Sequence, residues 1–327
     1  MKKYDYDMSK LVELPDIMAH EFEVHQDDID RAVSTLLLLN AKESMHNEGK
    51  KAQLGDIVKV SYVAYLVDEN GSVVQENGEN VVFDKAENEP VYLGAQLSYE
   101  DLEKEIVGMS VGESKKIRFS FPTNNLLDAE QKVIFDITVN GFLTAPQYND
   151  IFAKECDIHA ESTEKLEEHI FVNNLLCKID EFLEETVILT YPQKEYEQMK
   201  RFVENMFRQS VEDIASNYPY MSADEYIKKS MRAEMIFYAL RDMIGENVIP
   251  TEKEIEEQRE KQINELAKSY ISTENLSEAK KEMERLGEIY TYETLMYEKI
   301  DNALVKMVRV KRIPSTLKYA WKNNLST

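Results

Sequence analysis

A chain of 327 residues is longer than one hydrophobic core ordinarily serves, so two or three domains are expected and disorder is not required. Its 62 acidic side chains outnumber 39 basic ones, and the formal charge of −23 repels phosphate backbones and anionic headgroups, which argues against nucleic acid and membrane surfaces as partners. Two cysteines, Cys156 and Cys177, are too few for a disulfide framework and fit a reducing setting, with a single bridge between them left open.

No stretch approaches the roughly 18 apolar residues of a membrane span. Residues 1–10 carry charge without the apolar core of a secretion signal. The chain therefore reads as cytoplasmic, the alternative being an exported or surface-anchored protein whose leader has been removed.

Residues 1–50 are expected to form a strand and helix segment packing on a helical domain. A short extended piece runs from His20 to Val24, and Asp27 and Asp28 are placed to start a helix. Carboxylates there accept from the free N–H groups of a first turn and complement its positive dipole end. Ile29, Val33, Leu36 and Leu37 then give an apolar stripe that needs a partner from outside the segment.

Over residues 51–146 the apolar period changes from that of a helix to that of a strand. Val58, Val60, Tyr62, Ala64 and Leu66 share one face of a strand, Asp68-Glu69-Asn70-Gly71 suits a hairpin turn, and Val73-Val74 is expected to begin the return. Ile117, Phe119 and Phe121 alternate with Lys116, Arg118 and Ser120, and Val133, Phe135, Ile137 and Val139 alternate with mostly polar neighbours. Tyr99 to Val107 reads as one short helix, stopped by Gly108 where a left-handed C-cap is wanted. Strands around one short helix describe a small antiparallel half-barrel, of α+β class.

Residues 147–327 read as an all-α domain. Ser222 with Glu225 and Thr251 with Glu254 are capping-box pairs, and Pro192 suits a first helical turn. Met199, Phe202, Val203 and Met206, then Met231, Met235 and Leu240, then Ile300, Leu304 and Met307 recur at helical spacing, with few glycines or prolines between them. The whole is expected to be a multidomain α+β protein.

The motifs Gly55-Asp56-x-Val58-x-Val60-x-Tyr62, Leu93-Gly94, Leu102-x-x-x-Ile106-x-Gly108-Met109-x-Val111-Gly112-Glu113, Phe121-Pro122 and Phe135-Asp136-Ile137 together resemble the FKBP-type prolyl isomerases. The Gly-Met-x-Val-Gly-Glu turn is the most specific of them. A strand and helix ending in Gly49-Lys50-Lys51 precede this module, and Tyr191-Pro192-Gln193, Met231 to Val248 and Tyr292 to Val310 follow it. That order resembles the trigger factor family of bacterial chaperones. The resemblance implies an elongated helical domain whose arm-like helices form a cradle for unfolded or nascent polypeptides. The stretch before the module has neither the length nor the Gly-Phe-Arg-x-Gly type signature of that family's ribosome-binding domain, which argues against ribosome docking.

For the module, the resemblance implies an apolar pocket that needs no nucleophile, metal or other cofactor. Tyr62 and Phe135 match two aromatic walls, and the backbone N–H of Tyr99 lies where the family donates to the substrate carbonyl. Leu102 stands where the family has a Trp or Phe floor. Val74 and Gln75 stand where it has a Phe and an acid, unless the loop aligns so that Phe83-Asp84 supplies that pair. Weak isomerase activity is the expectation; the competing reading is that Tyr62, Leu102 and Phe135 are simply barrel core.

Most of the methionines lie at or beyond Met199. Flexible thioethers adapt to many apolar sequences, so Met199, Phe202, Met206, Met235 and Tyr238 are the candidate client-binding residues, against a reading as ordinary helical core. His20 and His25 are spaced five apart in a strand-like stretch, and Cys156 with His159 lacks further ligands, so no metal site is expected. No phosphate-binding loop or dinucleotide fingerprint occurs. Three functions remain: an ATP-independent holdase with a weak isomerase module, a fully active foldase isomerase, and an interaction module for one partner. Oligomeric state is not written in these patterns.

Overall fold

The computed structural model describes residues 10–44, 49–121, 131–207, 209–216, 221–269, 275–286 and 288–317. The amino-terminal stretch forms β1 (Val12–Glu13), β2 (Glu21–His25), α1 (Gln26–Leu39) and β3 (Lys42–Glu43). Asp27 and Asp28 lie in the first turn of α1, and Ile29, Val33 and Leu37 form its buried stripe. The next stretch forms β4 (Ile57–Leu66), β5 (Gln75–Glu76), β6 (Glu79–Asn80), β7 (Val82–Tyr92), α2 (Glu100–Ile106), β8 (Ser114–Ser120) and β9 (Lys132–Thr144). Then come α3 (Asp150–Glu155), α4 (Thr163–Thr186), β10 (Ile188–Leu189), α5 (Gln193–Phe207), α6 (Val211–Ser216) and α7 (Ala223–Ile244). α8 (Glu252–Ser269), α9 (Asn275–Leu286), α10 (Glu288–Met307) and β11 (Arg309–Ile313) complete the described chain. Two units result, Val24–Asn174 with Arg312–Thr327, and Met1–Glu23 with Leu175–Lys311.

The first unit carries a five-stranded antiparallel sheet in the order β3-β9-β4-β7, with β8 also paired to β9. β9 is long enough to pair β8 along Lys132–Thr138 and β3 at Leu143 and Thr144, while its other edge pairs β4 throughout. Alternate side chains of these strands fall on one face. Val58, Val60, Ala64, Val133, Phe135, Ile137 and Val139 are buried there, closed over by Ile106 of α2. The expected short helix is present, capped on Tyr99 and followed by Gly108 at φ 89°.

The return from β4 differs from expectation. The turn at Asp68–Gly71 forms, with the Gly71 amide donating to Asp68 O at 3.0 Å, but Val73 only bridges Val67. A second turn at Asn77 and Gly78, both at positive φ, closes the small β5–β6 hairpin, and β7 is the true return strand. An Asn-Gly pair supplies the positive-φ geometry of a two-residue turn.

Past β11, the chain is tied to α1 of the same unit. The Asp27 carboxylate accepts from Ser315 Oγ, Thr316 N and Thr316 Oγ, each at 2.7 Å, and from Leu317 N at 3.3 Å. Burial pushes this carboxyl up, but the donors from Thr316, Ser315 and Leu317 outweigh it and hold the group at about 2, below its ordinary 3.8. A depressed folded value gives stability that is full above the unfolded value and lost as pH falls through the folded one. Asp27→Ala is therefore expected to lower unfolding stability by about 1 kcal/mol at pH 6, allowing for solvent screening. In denaturant titrations that difference shrinks between pH 4 and 2; a difference that persists at pH 2 contradicts the assignment.

The second unit is built from helices, with β1 and β10 pairing at Val12–Leu189 and Glu13–Ile188. Both capping boxes form: Ser222 Oγ accepts from Glu225 N at 3.2 Å and Thr251 Oγ1 from Glu254 N at 3.3 Å, each glutamate accepting in return from the cap amide at 2.8 Å. Arg232 of α7 donates through Nη2 to the carbonyls of Leu183 and Glu184 in the last turn of α4 and to that of Val187 just beyond it, where helical carbonyls run short of amide donors; Leu183 O accepts in addition from the Val187 amide at 3.0 Å. Cys156 and Cys177 are free thiols.

Candidate functional site

The sheet register gathers six aromatic rings on the core face of the first unit. Tyr62 lies opposite Ile137 and Ala64 opposite Phe135 across β4 and β9, while Ile117 lies opposite Phe135 across β8 and β9. The Tyr62 and Phe135 rings meet edge to face with centroids 5.3 Å apart, and Phe119 stands 6.1 Å from Phe135. Tyr99, at the start of α2, packs 4.9 Å from Phe119 and 5.4 Å from Phe121. Phe83 of β7 completes the group at 5.2 Å from Phe121. Phe121 and Phe135 are buried, whereas Tyr62, Phe83, Tyr99, Leu102 and Phe119 are half-buried, so the cluster keeps an edge that solvent and a ligand can reach. Pro122, which follows Phe121, lies outside the described residues.

The two placements for the Phe-Asp pair separate in the structure. Asp84 Oδ2 accepts from the Tyr62 hydroxyl at 2.7 Å, and the neighbouring Phe83 belongs to the cluster. Val74 sits in the excursion between β4 and β7, bonded through its backbone to Leu66 and Val81, and the exposed Gln75 bonds Asn80 at 3.1 Å. Val74 and Gln75 are thus not brought to the cluster with Tyr62, Tyr99, Leu102 and Phe135; the inserted hairpin carries them away. Burial and the Asp84 acceptor push the Tyr62 hydroxyl up to about 12, so it remains a neutral donor at any physiological pH. What the arrangement offers chemically is a neutral, partly dry aromatic surface beside one fixed carboxylate.

In the helical unit the client-binding candidates scatter. Phe202 is 54% exposed on α5 and Met199 is half-buried on the same helix. Met206 also lies on α5, with its side chain outside the described residues. Met235 and Tyr238 of α7 are 3% and 2% exposed, so they form core instead of an open surface; the Tyr238 hydroxyl bonds Glu293 at 3.2 Å. α7 is covered on several sides at once, since Phe237, Tyr238, Ala239 and Leu240 are all buried in succession.

A pocket of about 390 Å³ opens beside that helix, which sequence periodicity did not indicate. Leu183, Ile236, Phe237, Tyr297 and Ile300 line it, with Asp180, Asp301 and Lys229 among its polar groups. Tyr297 stacks on Phe237 at 3.6 Å. Burial, with the charges of Asp180 and Glu298 beside it, raises the Asp301 carboxyl from 3.8 to about 6. The histidines weighed as ligands serve elsewhere: His20 stacks on Phe182 at 4.2 Å and His159 bonds the Lys154 carbonyl at 3.0 Å. Among the described residues no group of three His, Cys, Asp or Glu is placed to hold a metal ion, and no helix is long and apolar enough to cross a membrane.

Comparison with known proteins matches residues 48–140 to the FKBP-type peptidyl-prolyl cis-trans isomerase family. Trigger factor of Clostridium botulinum strain Eklund 17B is 24% identical over 277 residues, covering 78% of this chain and 62% of the relative. The strain Hall trigger factor is 25% identical over 302 residues, covering 86% and 66%. Trigger factor of Rhodopseudomonas palustris strain HaA2 is 32% identical over 153 residues, covering 45% and 30%. The chain therefore spans less than two thirds of the first of these relatives. A solved trigger factor chaperone structure aligns over 90% of this chain and 73% of its own at 17% identity and a TM-score of 0.32. With the aromatic cluster, the half-barrel and the order of segments pointing the same way, the chain is a trigger factor-like protein that carries an FKBP-type domain.

Proposed function

We propose that this chain is an ATP-independent chaperone for unfolded polypeptides, in which residues 51–146 catalyse slow X-Pro isomerisation and residues 147–327 hold the client. The observation that carries the reading is the Tyr62–Asp84 bond set against Phe83, Phe121 and Phe135, inside the stretch that matches the isomerase family. Rotating an X-Pro bond means crossing a barrier of roughly 18 to 20 kcal/mol set by amide resonance, and no covalent chemistry is required. A dry aromatic surface takes up the proline ring and strips water from the amide, which favours the twisted state over the planar, more polar one. The amide of Tyr99, at the N-cap of α2, is the proposed donor to the neighbouring peptide carbonyl. Leu102 offers a smaller floor than an indole or phenyl ring, which is why the activity is proposed to be weak. Phe202 and Met199 are the surface residues proposed to meet clients.

The test is exchange spectroscopy on a Xaa-Pro peptide at increasing protein concentration, alongside suppression of aggregation of several unrelated unfolded proteins. The cis-trans exchange rate is expected to rise in proportion to protein and to fall about tenfold in Phe83→Ala. Unchanged exchange at high protein concentration removes the activity and leaves the fold standing. Protection of only one client out of several points instead to a dedicated interaction module.

A further inference from the structure

Glu103 is an acid on α2 that is only 1% exposed. Its Oε2 accepts from the Gly94 amide at 2.7 Å, and its Oε1 accepts from the Ser98 hydroxyl at 3.0 Å and the Ser98 amide at 3.2 Å. Gly94, at φ 88°, begins the loop after β7, and Ser98 ends it, directly before the N-cap residue Tyr99. The amides of Leu102 and Glu103 both donate to the Tyr99 carbonyl, at 2.9 and 3.0 Å. One carboxylate thus ties both ends of the loop to the first turns of the helix, and the Tyr99 peptide lies between that clamp and its own ring, which packs on Phe119 and Phe121.

Burying a carboxylate is unfavourable unless its oxygens are satisfied, and here three donors from the loop satisfy them. A structural filler at this position would be served by an apolar side chain of similar volume. An acid does what such a filler does not: it fixes the direction of the peptide groups on which it pulls.

We propose that Glu103 is a positioning residue for X-Pro isomerisation, holding the Gly94–Ser98 loop so that the Tyr99 amide and the Leu102 side chain keep a fixed geometry relative to the aromatic cluster. The proposal rests on the isomerase reading of that cluster. Displacements of around 1 Å in a group that binds a substrate are enough to lower rates by about one to two orders of magnitude. Glu103→Gln keeps the size of the side chain but gives one oxygen in place of two, so one end of the loop is released.

The experiment measures kcat/KM on a Xaa-Pro peptide, peptide affinity by amide shift titration, and unfolding midpoint, in the full chain and in Glu103→Gln, Ser98→Ala, the double variant and Lys104→Gln. kcat/KM is expected to fall about tenfold in Glu103→Gln and about threefold in Ser98→Ala. The double variant adds little to the first, since the two act through one contact. The peptide-induced shift of the Tyr99 amide shrinks in the same variants, and Lys104→Gln, an exposed neighbour, matches the parent. Full activity and an unchanged Tyr99 response in a folded Glu103→Gln protein overturn the proposal, as does a loss that merely tracks the unfolded fraction. If Glu103→Gln does not fold, Ser98→Ala decides alone, and parental activity there is the contrary result. A parent chain that binds no peptide and accelerates nothing overturns the isomerase reading itself, which is a different outcome from an active parent with an indifferent Glu103.

Discussion

Phe135→Ala is expected to lower the stability of the sheet-bearing unit by about 3 to 5 kcal/mol, the range for removing a large aromatic side chain from a core. Phe135 is 6% exposed on β9, which is paired on both of its edges at this residue, to Ala64 on one side and Ile117 on the other. The backbone is therefore held and has little freedom to close the cavity left behind. The ring also has two aromatic neighbours, Tyr62 and Phe119, and each such pair contributes about 0.5 to 1.5 kcal/mol beyond burial. Phe135→Leu separates packing from catalysis. It keeps most of the apolar volume and is expected to lose only about 1 to 1.5 kcal/mol. If the ring is a wall of the isomerase site, exchange of a Xaa-Pro peptide drops severalfold in that folded variant. Urea unfolding followed by circular dichroism reads the first effect and exchange spectroscopy the second. Loss of less than about 1 kcal/mol in Phe135→Ala means the site collapses freely and the ring is not held as described.

The strands that alternate cleanly were legible in the sequence because one of their faces is buried and the other wet. β4, β8 and β9 are of this kind, and so is α2, whose stop at Gly108 needs a positive φ. β7 was not legible. Its Asp84, Lys85, Glu87, Asn88 and Glu89 are exposed, and only Phe83, Ala86 and the residues near Tyr92 turn inward, so no apolar period marks it. Val73-Val74 drew the return strand to the wrong place because two adjacent valines carry a stronger strand preference than the polar run that forms β7. The ambiguity over Phe83-Asp84 had a related cause, since the turn of the β5–β6 hairpin lies between Val74-Gln75 and Phe83-Asp84 and leaves two places where the pair could stand. Glu103 was invisible for a different reason. An acid on a short amphipathic helix reads as its solvent side, and only the path of the Gly94–Ser98 loop turns that side inward.

Helical periodicity located the long helices of the second unit without saying which face meets protein. α7 shows why: with Met231, Met235, Phe237, Tyr238, Ala239 and Leu240 all buried, its apolar residues run around the helix and no stripe identifies an open side. α5 carries the opposite case: Met199, Phe202, Val203 and Met206 do form a stripe at helical spacing, yet Val203 is buried, Met199 is half-buried and Phe202 is exposed. The pocket beside α7 depends on Asp180 of α4 and Asp301 of α10, residues far apart in the chain whose meeting no local pattern encodes.

That meeting gives the second large effect, a rise in stability. Asp301→Asn is expected to stabilise the helical unit at pH 7.5 and to do nothing at pH 4. Burial is the main cause of the raised Asp301 carboxyl, followed by the negative charges of Asp180, exposed at the pocket, and Glu298, three residues before it on α10. Lys229 and Arg232 are the cations lining the same pocket, and they do not reverse the shift. A folded value near 6 against 3.8 in the unfolded chain means the native state binds more protons between those two pH values. Stability therefore falls as pH rises from 3.8 to 6, and the full deficit remains above 6. A shift of that size corresponds to about 3 kcal/mol at most, reduced to about 1 to 2 by the water that reaches the pocket. Asparagine carries no charge at either pH, so the gain grows as the unfolded parent ionises above 3.8 and is complete above 6. Asp180→Asn removes one of the two charges that repel Asp301 and is expected to give a smaller gain over the same interval. Denaturant unfolding of the parent and both variants across pH 4 to 8 checks the sign. An Asp301→Asn protein no more stable than its parent at pH 7.5, or equally more stable at pH 4, shows that the carboxyl titrates as an ordinary solvated aspartate.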